Sequence, residues 1–259
     1  SGIMGTIGHC IGGKNINATV TTPGALDTAK MMREMAGLND RCCIMEVSSH
    51  ALSLMRVEDV RFDLALFTNI TQDHLDYHEN MEDYLNCKIH LFDLLKKDGS
   101  ALVGTYSPGY PRIDNAATFG MLESDTYRIS NMSGELGRIS FIFHAGGEAV
   151  PVEIDIPGLF NVYNAAGAMA AANELGIHPE SAAGYLRDFP GVPGRFQSVS
   201  IGQDFLVAVD YAHTPDALER ILSQASELTE NRVIAVFGAG GDRDSSKRPL
   251  MGRIAESIA

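Results

Sequence analysis

The sequence predicts an α/β fold: a mostly parallel sheet flanked by helices, with an antiparallel patch and the start of a second domain. Three observations predict it. Short apolar runs at 42–47, 62–67, 207–210 and 233–237 alternate with amphipathic helical patterns. Each run ends in polar residues: Glu46, then Asn69 through His78, then Asp210 with His213, then Asp242, Arg243, Asp244, Lys247 and Arg248. Polar strand ends in such a sheet mark a ligand crevice. Residues 119–156, by contrast, carry several adjacent short strand patterns with no helix between them.

The bulk numbers set limits. The chain has 259 residues, 45% hydrophobic and 20% charged, which is the balance of a soluble globular protein. A net charge of −13 argues against nucleic acid or an anionic membrane as the main partner, since both attract a basic face. It leaves nucleotides open, because local loops and Mg²⁺ hold them. Cys10, Cys42, Cys43 and Cys87 form no CxxC pair and read as buried free thiols of a reducing compartment. No 18-residue apolar span or signal peptide is present.

Taken in order, residues 8–15 (GHCIGGKN) superficially match a phosphate-binding loop, GxxxxGK[ST]. The last position is Asn15, which offers Mg²⁺ no hydroxyl, and residues 18–22 read as extended where a helix is required. A hairpin turn fits better. Thr21 and Thr22 precede a helix over 24–36 with Leu26, Ala29, Met32 and Met35 at helical spacing. The two threonines read equally as strand end plus helix cap or as hydroxyls offered to a ligand. Residues 42–47 read as a short buried strand, and Glu46 at its end is costly unless paired or metal-bound. Ser48, Ser49 and His50 follow, then a helical turn over 51–57 carrying Arg56.

The strand at 62–67 leads into the central stretch, TNITQDHLDYHENMEDYLNCK at 68–88, with Asp73, His74, Asp76 and His78 inside six residues. Asp76 and His78 read either as ligands or as caps at a helix entry. A helix over 81–97 presents Met81, Tyr84, Leu85, Ile89, Phe92 and Leu95 on one face, and 98–100 ends it. Lys88, in that helix, is by default a surface lysine. Strand patterns at 101–103, 127–130, 138–144 and 152–156 follow. An alanine-rich helix over 160–175 then has Asn161 at its N-cap and Asn164 in its first turn. After a short helix over 179–187, the Pro/Gly hinge at 189–196 places a boundary between domains 1–190 and 191–259. The second domain carries about two strand–helix units, with helices over 215–228 and from Pro249 onward, too few to close a core of its own.

Six motifs in order, MEVSSHAL at 45–52, FTNITQDHLDYH at 67–78 with Lys88 beyond it, FNVYNAAGA at 160–168, GVPGRF at 191–196, VDYAHTPDAL at 209–218 and FGAGGDRDSSKRPLM at 237–251, resemble the Mur ligases. The forms VSSHAL and DYAHTPDAL resemble the branch that adds a diamino acid to UDP-MurNAc-L-Ala-D-Glu. The resemblance implies a central ATPase domain followed by the start of a Rossmann-like C-terminal domain. It implies a cytoplasmic, monomeric ligase of peptidoglycan synthesis using ATP and Mg²⁺. The D-Glu carboxylate is phosphorylated, and the incoming amine attacks the acyl phosphate.

By the same resemblance Glu46 and His74 hold Mg²⁺, and Lys88 is carbamylated by CO₂ into a further Mg²⁺ ligand. Asn164 contacts adenine, Arg195 phosphate and Asp210 ribose. Thr21, Thr22, Ser48 and Arg56 bind the UDP-MurNAc-dipeptide, whereas Leu54 stands where some members use a polar residue. The family's GTNGKTT-type loop falls upstream of Ser1, and the uridine-binding and amine-selecting regions are also missing from these 259 residues. The expectation is a fragment with little activity of its own. Rival readings are another Mur or folylpolyglutamate-type ligase, a metal-dependent hydrolase, or a non-catalytic nucleotide-binding module. Whether the amine is diaminopimelate or lysine stays open.

Overall fold

The computed structural model describes every residue except Gln72, Asp73, Asp76, Leu136, Gly137, Glu230 and 241–246, together with the side chain of Glu135. The chain forms two compact units, 1–117 and 118–259. The expected aspartates Asp73, Asp76, Asp242 and Asp244, and Arg243, lie outside the described residues.

The first unit opens with β1 (Gly2–Met4), β2 (His9–Ile11) and β3 (Lys14–Ile16). The phosphate-loop look-alike is the β2–β3 hairpin, with Gly12 and Gly13 at φ +54° and +78° supplying the two-residue turn. Helix α1 (Ala25–Gly37) follows. It packs through Met31, Met32 and Met35, whereas Leu26 and Ala29 face outward, so the expected stripe is rotated. Strand β4 (Cys43–Met45) pairs in parallel with β1, Gly2 opposite Cys43 and Met4 opposite Met45. It is half-covered and not buried, since Ile44 is 62% exposed. None of the four cysteines is buried, and Cys42 is exposed. Desolvation nevertheless pushes the Cys43 and Cys87 thiols up from their ordinary value.

Helix α2 (Ser49–Ser53) is capped by Ser48, whose Oγ accepts from Ala51 N at 3.2 Å. Arg56 therefore lies beyond the helix, in the turn that follows. Strand β5 (Phe62–Phe67) spans the predicted residues. Helix α3 (Met81–Asp93) begins where Asn80 Oδ1 accepts Asp83 N–H at 2.9 Å. It stops at Asp93, short of the expected Lys97, because the chain is drawn into strand pairing: Phe62 N–H bonds Leu94 O at 3.0 Å. Strand β6 (Leu95–Gly104) then runs parallel to β5, with a register shift near residues 96–99, so the Asp-Gly-Ser segment lies inside the strand.

The second unit carries β7 (Ala117–Gly120), β8 (Tyr127–Glu135), β9 (Arg138–Ala145) and β10 (Glu148–Ile154). β7 is parallel to β8, and β8–β9–β10 form the predicted antiparallel patch. Ile139, Phe141, Phe143, Val150, Val152 and Ile154 turn inward at alternate positions. Helix α4 (Leu159–Glu174) packs on β8 and β9, and α5 (Pro179–Arg187) on β10. Tyr127 Oη donates to Glu174 Oε1 at 2.7 Å and ties β8 to the end of α4. The N-cap of α4 is Gly158, not Asn161, which sits inside the helix and donates to Pro157 O at 2.8 Å.

Strands β11 (Gln197–Ser198) and β12 (Ala208–Val209) form a two-residue ladder that is exposed, where a buried strand was expected. Residues 233–237 form no strand, and Val236 is 95% exposed. A strand requires a partner for its backbone groups, and none of the described residues provides one there. Helices α6 (Pro215–Glu227) and α7 (Lys247–Ile258) pack on each other around buried Leu218, Leu222 and Met251, so this region does close a small core. No helix among the described residues is long and apolar enough to cross a membrane.

Gly158 has φ +106°, and an added Cβ would stand 1.6 Å from Gln224 Nε2. Gly158→Ala should lose about 1–3 kcal/mol to backbone strain alone, and more while Gln224 is in place. Urea unfolding checks this. Adding Gln224→Ala should restore only the steric part. Full recovery to the stability of Gln224→Ala alone would mean that the backbone conformation is not the cost.

Candidate active site

In the first unit, parallel pairing brings the C-terminal ends of β1 and β4 to one edge. Glu46 follows β4 directly, and Gly5-Thr6 follow β1. Glu46 Oε2 accepts the Thr6 backbone N–H at 3.1 Å and the Thr6 hydroxyl at 2.5 Å. Thr6 Oγ1 lies 3.1 Å from Thr21 Oγ1. Thr22 Oγ1 donates to Glu46 O at 2.8 Å and accepts the Ser48 N–H at 3.0 Å. Arg56 Nη1 donates to Thr22 O at 3.2 Å. Thr21, Thr22, Glu46, Ser48 and Arg56, dispersed over 36 positions of sequence, thus form one polar network.

Two expectations change in detail. Glu46 is exposed, so hydroxyl and amide donors orient its carboxylate without the desolvation penalty its strand position implied. Thr6 was not anticipated. Nothing local marks it, and only the β1–β4 pairing reveals that it stands beside Glu46.

The central stretch builds a second cluster against α2 and α3. His74 has φ +55°, and its carbonyl accepts the N–H groups of Tyr77 and His78 at 3.0 and 2.9 Å, closing a tight turn. The His50 ring lies 5.0 Å from His74 and 4.1 Å from Tyr77, and Tyr84 lies 5.8 Å from His74. Lys88 Nζ sits 4.9 Å from the centre of the Tyr84 ring, a cation–π contact that draws it toward the cluster. It is half-buried and not the free surface lysine of the default reading. His78 is buried, at 4% exposure, and touches both Ser49 and Asp83. A cleft of about 420 Å³ beside this cluster is lined by residues including Ser53, Tyr77, His78, Asp83, Cys87 and His90.

Among the described residues no three His, Cys, Asp or Glu side chains gather into a self-sufficient cage. One carboxylate and one imidazole suit Mg²⁺ when phosphate oxygens and water fill the remaining positions. Gly5 makes room for the carboxylate, since a Cβ there would stand 2.8 Å from Glu46 Oε1. By donor type, Glu46 and His74 therefore suit Mg²⁺ once phosphate oxygens and water complete its shell.

In the second unit, Asp210 clamps the chain on both sides. Oδ2 accepts Phe196 N–H at 2.7 Å and Oδ1 accepts Ala212 N–H at 2.8 Å. The Arg195 guanidinium lies over the Tyr211 ring at 5.4 Å, so Arg195 and Asp210 share one neighbourhood. Lys247 Nζ reaches His213 O at 3.2 Å and joins two of the predicted polar strand ends. Arg195 also lines a cleft of about 480 Å³ with Asp155, Arg187 and Asp188. Asn164 is exposed on α4, where Nδ2 donates to Asn161 Oδ1 at 3.4 Å within the same helix.

Two outcomes follow. Gly5→Ala presses on the Glu46 carboxylate and on its hydrogen bonds from Thr6, so stability should fall by about 1 kcal/mol while Mg²⁺ affinity falls. Thermal melts with and without Mg²⁺ check both, and an unchanged Mg²⁺ dependence would remove Glu46 from the site. His90, held between Glu58 (3.0 Å) and Asp93 (3.1 Å), has its pKa raised from 6.5, chiefly by the hydrogen bonds its ring N–H groups donate to Glu58 and then Asp93. Its contribution to stability is therefore full below pH 6.5 and lost as pH rises through the higher folded value. The stability gap between wild type and His90→Gln should shrink over that window in denaturant titrations.

A model of the Mur ligase middle domain matches residues 1–172, and one of the Mur ligase glutamate ligase domain matches 194–259. The UDP-N-acetylmuramoyl-L-alanyl-D-glutamate–2,6-diaminopimelate ligase of Syntrophomonas wolfei is 43% identical over 260 residues, covering 98% of this chain and 53% of the relative. That of Fusobacterium nucleatum is 38% identical, covering 99% and 54%. A solved structure of a 2,6-diaminopimelate ligase of this kind superposes with a TM-score of 0.75 at 30% identity, covering 100% of this chain and 54% of that one. Folylpolyglutamate synthetase from Lactobacillus casei shares the fold alone, with a TM-score of 0.56 at 13% identity, covering 75% and 47%. The chain spans about half the length of the curated relatives it matches. With two family models placed in order over most of its length, this chain belongs to the Mur ligase family.

Proposed function

We propose that the whole protein is an ATP- and Mg²⁺-dependent ligase of peptidoglycan synthesis, working in the cytoplasm as a monomer. It joins 2,6-diaminopimelate to UDP-MurNAc-L-Ala-D-Glu, a choice over lysine that rests on the relatives' names. The observation that carries the reading is the single network of Thr21, Thr22, Glu46, Ser48 and Arg56 at the β1–β4 strand ends. We place the boundary between its middle and C-terminal domains at residue 191.

The roles follow from the chemistry of each group. Arg56 presents a cation to the carboxylates of the dipeptide, and Thr21, Thr22 and Ser48 offer hydroxyls that fix its orientation. Glu46 and His74 would hold Mg²⁺, which would supply charge neutralisation at the phosphates. Lys88, carbamylated by CO₂ with loss of a proton, would be an anion able to hold Mg²⁺ beside them. Asn164 contacts adenine, Arg195 a phosphate and Asp210 the ribose. Asp210 also fixes the Phe196 amide and so sets where Arg195 emerges. The amine of the incoming amino acid attacks the acyl phosphate, and the amide forms as phosphate departs.

In the intact enzyme, Lys88→Ala should lower the ligation rate by at least about three orders of magnitude, a loss of transition-state stabilisation near 4 kcal/mol. Small carboxylic acids should restore part of it. An unaffected rate would remove the carbamate role. The 259-residue chain alone should show little ligase turnover, because its one GxxxxGK match lies in the β2–β3 hairpin and cannot cradle the β- and γ-phosphates. Turnover by that chain in a coupled ADP-release assay would overturn this.

A further inference from the structure

We infer that His78 is a positioning residue for the ligation, acting through a buried Ser49–His78–Asp83 relay. It would hold the dipeptide-binding turn and the Lys88 helix in a single arrangement. The inference rests on the reading of Ser48 and Lys88 given under Proposed function.

The geometry is that of a serine–histidine–aspartate set. Ser49 Oγ lies 2.9 Å from His78 Nε2, and Asp83 Oδ2 lies 3.1 Å from His78 Nδ1. Asp83 is half-exposed, and its carboxylate can only accept, so the Asp83 contact calls for a proton on Nδ1 and the Ser49 hydroxyl completes the set at Nε2. A nucleophile must meet its substrate, and Ser49 is 2% exposed at the start of α2. The set is therefore used to fasten and not to attack.

What it fastens is specific. Ser49 follows Ser48, whose amide is bonded to Thr22 in the polar network. Its carbonyl is held a second time from α3, by the Cys87 thiol at 3.1 Å. Asp83 lies in the first turn of α3, where its N–H is capped by Asn80 and its carboxylate also accepts the Glu79 N–H at 3.3 Å. The His78 ring lies 5.1 Å from Tyr84, the ring over which Lys88 Nζ rests, and its backbone N–H bonds His74 O. One buried imidazole thus touches the neighbour of the dipeptide-binding serine, the turn that aims His74, and the platform beneath Lys88. Catalytic groups need placement within a fraction of an ångström, and supporting hydrogen bonds supply it.

The test uses the intact ligase with His78→Phe, which keeps an aromatic ring beside Tyr84 but removes both hydrogen bonds. Ser49→Ala and Asp83→Asn are made alongside it. Three quantities are read: kcat and KM for the dipeptide substrate, the ¹³C signal of the Lys88 carbamate after equilibration with labelled bicarbonate, and the melting temperature. His78→Phe should lower kcat at least tenfold and raise KM several-fold. Its carbamate signal should weaken at ambient bicarbonate and recover, together with part of kcat, when bicarbonate is raised. Ser49→Ala combined with His78→Phe should be no worse than His78→Phe alone, as expected of one relay.

The inference is overturned if His78→Phe changes kcat, KM and the carbamate signal by less than twofold. It is also overturned if every loss tracks the fraction of folded protein. Should His78→Phe fail to fold, Asp83→Asn breaks the same relay from its half-exposed end, and the same thresholds apply. Activity retained by Lys88→Ala would refute the Lys88 reading instead, and the KM effect would still decide the relay.

Discussion

The parallel pairing of β1 with β4 is the constraint on which the site depends. Two strands running the same way deliver their C-terminal ends to one edge, so the segments leaving them must share a neighbourhood. Here that puts Gly5 and Thr6 against Glu46, and the chain returning through Thr21 and Thr22 is stitched to the same edge by hydroxyl–carbonyl and amide–hydroxyl bonds. The absence of a side chain at Gly5 matters for the same reason, since the closest approach at that edge is to the glutamate carboxylate itself.

A second principle organises the histidine-rich stretch. Five imidazole or phenol rings meet between α2 and α3, and the buried imidazole, His78, has hydrogen-bond partners at both nitrogens. A buried polar ring is tolerated only when its polar atoms are satisfied. Satisfying them here ties α2, which has only five residues, to the first turn of α3. The polar core of this region is thus also its framework.

The second unit shows the converse. Its antiparallel sheet is built on alternate inward Phe, Ile and Val residues, and α4 on Val162, Ala165, Ala166, Met169 and Ala170; β8, β9 and α4 overlap the spans their patterns predicted, whereas β10 covers Glu148–Ile154 and not 152–156. Beyond the hinge the order is local. Asp210 clamps two backbone amides, and α6 and α7 cover each other, while the apolar segment at 233–237 has no strand beside it among the described residues. A helix satisfies its own backbone and can form next to a single neighbour. A strand cannot.

The sequence by itself determined the α/β class, the hairpin in place of a phosphate loop, β5, α5, the antiparallel patch and the family motifs. All of these rest on short-range information: period, turn residues and spacing. It also named Glu46, His74, Lys88, Thr21, Thr22, Ser48 and Arg56, but through motif resemblance, since spacing could not say which of them meet. Tertiary structure decided that Thr21, Thr22, Glu46, Ser48 and Arg56 meet in one network, that Thr6 completes it, and that His78 is buried between Ser49 and Asp83. It also moved the end of α3 from Lys97 to Asp93, turned the exposed face of α1 around Leu26, and left 207–210 and 233–237 without a buried strand. In each case the deciding quantity was a long-range pairing, and side-chain pattern does not encode which distant strand will supply the other half of a hydrogen bond.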